Sequence, residues 1–298
     1  MKAVIRKEVD AHVSITVLAD IVMEYDADET CERLVWEAGS KDWVKSFLIS
    51  NGFVSSGDVD WEAREWRQIF HRCLSLSEGH CAASYLTAIG QLPLAREGEI
   101  LSTIGTVELK VGDYIRLGSG RWLNDNLIAG YFSLIAARSF RLTTGNQIQV
   151  IDSNFFVVEI GRRHKYVKKL RCQNMFNLHM LMFPIHVENS HWILAVVDFR
   201  LEQIAMYDSL HKSHQAKLDY LLSFLQEEAG LRTLAVNFTR WTTVHLENPR
   251  QTGTTDCGVF ACATGDYLAQ GLDLDYTEDH VPLFRLKMVR DLRRGFLD

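Results

Sequence analysis

Two apolar runs separated by a short turn limit the fold of this chain more than any other feature. Ile193 to Val197 is continuously apolar, and Ile204 to Tyr207 follows after the connecting Phe199-Arg-Leu-Glu-Gln203. An unbroken apolar run of that length, bounded by polar residues, reads as a buried strand. A second run this close reads as its antiparallel partner, the two forming a hairpin. His191 then stands at the start of one strand and Asp208 at the end of the next. Antiparallel pairing brings those two ends together, so the hairpin predicts an imidazole beside a carboxylate. Asp198 is a competing carboxylate, but it ends its strand at the far end of the hairpin from His191. His186 lies in the neighbouring apolar segment Met182-Phe-Pro-Ile-His186 and is read as a structural strand residue.

A second constellation lies downstream, in Gln251-Thr-Gly-Thr-Thr-Asp256-Cys257-Gly258. The residues after it, Val259-Phe-Ala-Cys262-Ala263, predict a buried helix. Asp256 and Gly258 suit a tight turn into that helix. A thiol at a first helical turn faces unpaired backbone N–H groups and the positive end of the macrodipole. That setting favours the reactive thiolate over the inert thiol of a core cysteine. Gln251, six residues upstream, has a side-chain amide suited to donate to an oxyanion beside the sulfur. A nucleophile, a base and a group to orient the base are the parts of covalent catalysis. Cys257, His191 and Asp208 have the chemistry for those three roles.

With these residues in view, the chain resembles the Ulp/SENP family of ubiquitin-like-protein proteases, papain-like cysteine peptidases that process SUMO and related modifiers. Four blocks carry the resemblance: Trp122-Leu-Asn-Asp125-Asn-Leu-Ile-Ala-Gly-Tyr131, Pro184-Ile-His186 leading to His191-Trp192, Tyr207-Asp208-Ser209, and Gln251 through Cys262. Phe155-Phe156 is similar to an aromatic strand of the family. The blocks stand in the family's order and cover roughly residues 105 to 298. The resemblance implies Cys257 as nucleophile, His191 as base and then acid, Asp208 as orienting carboxylate and Gln251 as oxyanion donor. It also implies that Trp122 and Trp192 line a channel for the modifier's C-terminal Gly-Gly. Two flat indoles leave a slot in which a residue lacking Cβ fits best. Asp125 corresponds to a position that contacts the modifier, and it equally suits capping of the following helix. The chain departs from the family at Gly253-Thr254, where an Asn-Gly pair is usual, and at Thr255, which replaces Ser.

The expected fold is therefore α+β: a papain-like arrangement with a central helix against a mixed sheet, in residues 105–298. Residues 1–104 are expected to form a mostly helical extension. They carry 10 Lys/Arg against 17 Asp/Glu, while the rest is nearly balanced at 22 against 21 within the overall net charge of −6. So acidic a region argues against nucleic-acid binding there. Trp66, Ile69, Phe70, Cys73 and Leu74 fall on one amphipathic stripe, and Trp43, Val44, Phe47 and Leu48 form a shorter one. His71, Cys73, His80 and Cys81 match no common zinc spacing, so no metal is expected. A basic cluster, Arg162 to Arg171, reads as a solvated surface.

The expected activity needs no cofactor. Its partners would be a ubiquitin-like modifier, SUMO first, and that modifier's protein conjugates. Six scattered cysteines without a disulfide framework suit a reducing intracellular compartment, nucleus or cytoplasm. No signal peptide and no membrane span are expected. Three alternatives stay open: a deneddylase or deubiquitinase of the same fold, a Yop-type acetyltransferase using Cys257, and a catalytically silent modifier-binding module.

Overall fold

A computed structural model describes residues 76–142, 147–156 and 174–298, with Ile49, Leu74 and Val167 besides. The N-terminal amphipathic stripes, apart from Leu74, and the basic cluster lie outside the described residues, as do His71 and Cys73. The chain divides into two compact units: Met1–Leu127 with Asp279–Gly295, and Ile128–Glu278 with Phe296–Asp298.

In the first unit, helix α1 (Leu76–Gly90) is followed by a hairpin of β1 (Ile100–Ile104) and β2 (Val107–Lys110), then the short α2 (Val111–Ile115). Gly105 takes φ +61° in the hairpin turn, a conformation that glycine adopts without steric cost. Helix α6 (Val281–Arg294) belongs to the same unit. It packs on α1, with Arg293 4.1 Å above the Tyr85 ring and Arg290 and Arg294 both reaching Glu78. Arg285 of α6 is fully buried, and it donates to the carbonyls of Arg116, Gly118 and Arg121.

The second unit is built on a mixed five-stranded sheet in the order β3–β4–β5–β6–β7. Its strands are β3 (Ile148–Val150), β4 (Met180–Val187), β5 (His191–Asp198), β6 (Gln203–Tyr207) and β7 (Thr242–His245). The central strands run antiparallel, and the outer strands β3 and β7 pair parallel to their neighbours. Every residue of β5 is buried, as its unbroken apolar run predicts. Alternate β5 residues Ile193, Ala195 and Val197 join a core with Leu218, Leu221, Phe224 and Leu225 of α4 (Gln215–Leu231). Phe155, the expected aromatic element, sits in a 3-10 turn within that core rather than in a strand.

Helix α5 (Cys257–Gln270) lies against β5. Its residues from Cys257 to Tyr267 are all buried, so this is the central helix of the α+β papain-like fold. Helix α3 (Asp125–Leu142) approaches it closely in the second unit. A Cβ added at Gly265 would come 2.7 Å from the Phe132 ring, so the glycine is what lets the two helices meet. The same helices are joined where Arg138 donates to Asp266 at 2.5 Å, with both side chains about 5% exposed.

Candidate active site

Strand register brings the candidate base and acid together. Leu194 pairs with Tyr207, so β5 runs back past the end of β6 and His191 reaches the residue just beyond it. His191 Nε2 lies 2.6 Å from Asp208 Oδ1. A carboxylate only accepts, so Nε2 carries the proton. The ring's other nitrogen is then the one available to Cys257, whose side chain is near enough to raise the pKa of the imidazole. Asp198, at the far end of the hairpin opposite Gln203, instead accepts from the backbone N–H groups of Arg200 and Leu201 in the turn.

Electrostatics follow from these contacts. Burial disfavours a charge on His191, but its hydrogen bond to Asp208 and the neighbouring Cys257 outweigh that and push its pKa from 6.5 up to about 9. Burial alone would raise the Asp208 carboxyl. Hydrogen bonds from His191, His214 and the Leu210 N–H reverse the effect and hold it well below the usual carboxylate range. Charge on the imidazole is thus stabilised from both sides.

Cys257 opens α5 and is buried, with Asp256 as the helix N-cap residue. The first N–H groups of a helix have no partner inside it, so Cys257 presents its amide where it presents its sulfur. Cys262, one turn on, is also buried, and burial pushes its thiol well above the usual range. Gln251 is buried and tied to the catalytic hairpin. Its backbone N–H donates to the Ser209 carbonyl at 3.0 Å, and its Oε1 accepts from the Ser209 hydroxyl at 2.8 Å. That fixes the amide face, and Nε2 donates one hydrogen to Gly253 O at 3.0 Å. The Thr252-Gly253 turn is in turn gripped by Glu278, whose carboxylate accepts from both backbone N–H groups and the Thr252 hydroxyl. The replacements at Gly253, Thr254 and Thr255 therefore sit in a loop that Glu278 organises.

The remaining expected residues are placed as follows. Trp122 is in the first unit and 45% exposed. Trp192 is buried in β5 and stacks on His186 with ring centroids 4.3 Å apart, nearly parallel. His186 belongs to β4, as its apolar segment predicts. Helix α3 begins at Asp125, but the capping oxygen is that of Asn124, which accepts from the Leu127 N–H at 3.2 Å. Asp125 itself is exposed.

One residue of the site escaped sequence reasoning. His214 Nε2 lies 2.9 Å from Asp208 Oδ2, so the carboxylate is held by two histidines. The available signal was a histidine six residues after Asp208, at the start of a helix, where Ser, Thr, Asp or Asn is preferred. Among the described residues no group of three or more His, Cys, Asp or Glu is arranged to hold a metal ion. None of the described helices is long and apolar enough to cross a membrane.

A thiol at a helix start, beside an imidazole that is oriented by a carboxylate, defines the site class of the papain-like cysteine peptidases. Residues 121–296 match the Ulp1 protease family, C-terminal catalytic domain, and the chain belongs to that family. It is 30% identical over 211 residues to sentrin-specific protease 2 of Pongo abelii, covering 69% of this chain and 35% of that protein. It is 29% identical over 190 residues to a sentrin-specific protease of Caenorhabditis elegans, covering 63% of this chain and 27% of the relative. The chain thus spans about a third of the length of the curated relatives it matches. The fold matches the C-terminal Ulp1 protease domain solved in complex with Smt3, the yeast ortholog of SUMO. That match has a TM-score of 0.60 at 22% identity, covering 74% of this chain and 96% of that one. The catalytic domain of the Chaetomium thermophilum Ulp1-like SUMO protease matches with a TM-score of 0.57 at 24% identity, covering 79% and 91%.

Proposed function

We propose that this chain is a cysteine protease that cleaves after the C-terminal Gly-Gly of a ubiquitin-like modifier, with SUMO the first choice. The observation that carries the reading is the chain of contacts from Asp208 through His191 to Cys257. The matching solved structures are of a protease bound to Smt3, the yeast ortholog of SUMO, and of a SUMO protease, which supports SUMO over other modifiers. In this reading residues 105–298 form the catalytic domain, and residues 1–104 an extension beside it. A free catalytic thiol suits a reducing compartment, the nucleus or cytoplasm.

The Cys257 sulfur attacks the carbonyl carbon of the modifier's last glycine, and its proton resides on His191. The resulting oxyanion takes hydrogen bonds from the Cys257 N–H and the Gln251 amide. His191 protonates the departing nitrogen, the C–N bond breaks, and a thioester remains on Cys257. Water then gives a proton to His191 and attacks the thioester, releasing the modifier's carboxylate and restoring the thiol. Trp122 and Trp192 would flank the glycine tail, and Asp125 would meet the modifier's surface.

The test is a panel of C-terminal electrophile probes built on SUMO, the neddylation modifier and ubiquitin. A covalent adduct with the SUMO probe, absent from Cys257→Ala, supports the reading. Adducts only with another probe reassign the modifier. No adduct from folded, reduced protein sinks the protease reading in favour of acetyl transfer or silent binding.

The pH dependence follows from His191. Its folded pKa is raised from 6.5 to about 9, so the stabilisation carried by its proton is complete below the lower value and is lost as pH rises through the upper one. Acylation of an amide-linked substrate needs that proton for the leaving amine. On such a substrate kcat/KM should hold up to roughly pH 9 and then fall about tenfold per pH unit. A profile still flat at pH 10.5 would exclude His191 as the proton donor.

A further inference from the structure

We infer that His214 is a positioning residue that locks the orienting carboxylate from its far side, an inference that rests on the protease reading above. Asp208 accepts four hydrogen bonds. Its Oδ1 takes His191 Nε2–H at 2.6 Å and the Leu210 N–H at 2.8 Å. Its Oδ2 takes His214 Nε2–H at 2.9 Å and the Lys212 N–H at 3.2 Å. A carboxylate accommodates about four donors, so this one is saturated and its plane is set.

Asp208 lines a cavity of about 360 Å³ together with Met206, His211, Lys212, Ser213 and His245. Without His214, Oδ2 keeps only its longest bond, in a side chain that borders that cavity. The terminal torsion of an aspartate is broad, so the carboxylate can then turn and carry His191 with it.

His214 itself is well anchored. Its backbone N–H donates to His245 Nε2 at 2.8 Å, its carbonyl accepts from the N–H groups of Lys217 and Leu218, and its ring is largely buried. It occupies the N-cap position of α4 yet its side chain makes no capping bond. A local rule of helix starts is broken, and the side chain serves Asp208 instead. Such exceptions concentrate at functional sites.

The experiment compares His214→Phe, which keeps a ring but no donor, with His214→Gln, whose amide nitrogen replaces Nε2. Active sites are first counted by probe labelling of Cys257. For His214→Phe, kcat on a modifier conjugate should fall about 10- to 100-fold with KM within about twofold, as for a misplaced catalytic group. His214→Gln should recover most of that loss. Equal losses in both folded variants, or a His214→Phe variant matching wild type, overturn the inference while leaving the protease reading intact. Wild-type protein that neither labels nor turns over sinks both. If the phenyl ring prevents folding, the downfield proton spectrum decides. Two hydrogen-bonded imidazole protons in the wild type, one of them missing in His214→Gln, support the inference; a spectrum unchanged by that substitution overturns it.

Discussion

Cys257→Ala is expected to lower kcat by about 10⁶-fold and Asp208→Ala by about 10⁴-fold, on the scale set by dissected peptidase triads. The two numbers differ because the losses differ in kind. Without the sulfur no acyl-enzyme forms, and only binding and the oxyanion donors remain. Without the carboxylate the nucleophile survives, but His191 loses its 2.6 Å anchor and the charge that stabilises its protonated form. Asp208→Asn should fall between wild type and Asp208→Ala, for a reason specific to this site. Its carbonyl can keep the bond to His191 while its NH₂ turns toward His214, whose ring accepts in its other tautomer. The Lys212 N–H, at 3.2 Å from the present Oδ2, is then the one donor left facing a donor. Single-turnover rates on a modifier conjugate separate these effects, with probe labelling to count active sites in the Asp208 variants, which keep the sulfur. Asp208→Ala within tenfold of wild type would remove Asp208 from the mechanism. Asp208→Asn as slow as Asp208→Ala would show that His214 does not adapt.

What was legible in the sequence is what local pattern can encode. The unbroken run at Ile193–Val197 and its near neighbour at Ile204 gave the hairpin, and period and length alone placed His191 near Asp208. Cys257 before an apolar run gave the start of α5. The contacts that escaped depend on which side chain wins a shared partner. Asn124 and Asp125 are both plausible caps one residue apart, and only the backbone path shows that Asn124 reaches the Leu127 N–H. Glu278 grips the Thr252-Gly253 turn from 26 residues away, which no local signal encodes. Trp192 alternates into a buried strand, where it stacks on His186 across the β4–β5 pair. His214 was visible only as a poor capping residue, because its partner is the carboxylate six positions earlier.

The largest expected effect on stability is at Asp266, remote from the chemistry. Arg138 of α3 and Asp266 of α5 form an ion pair with both side chains about 5% exposed, and Gln270 adds a hydrogen bond to the same carboxylate oxygen. Asp266→Ala leaves the guanidinium buried with only long contacts, at 3.4 Å, to the carbonyls of Asp266 and Asp298. Removing one member of a buried pair typically costs about 3–5 kcal/mol, because the surviving charge is neither solvated nor paired. For a unit of this size that corresponds to roughly 6–20 °C in Tm. Asp266 lies nine residues beyond Cys257, on the order of 13 Å along the helix. Well below its Tm the variant should therefore label with probe and turn over at near wild-type rates. The double variant Arg138→Met, Asp266→Leu should regain most of the lost Tm, since apolar groups of similar volume often replace buried pairs without loss. A Tm for Asp266→Ala within 2 °C of wild type would show that the pair is reached by solvent. A double variant as unstable as the single would show that the two helices need the charges themselves, and with them the specific angle at which α3 holds the helix that carries the nucleophile.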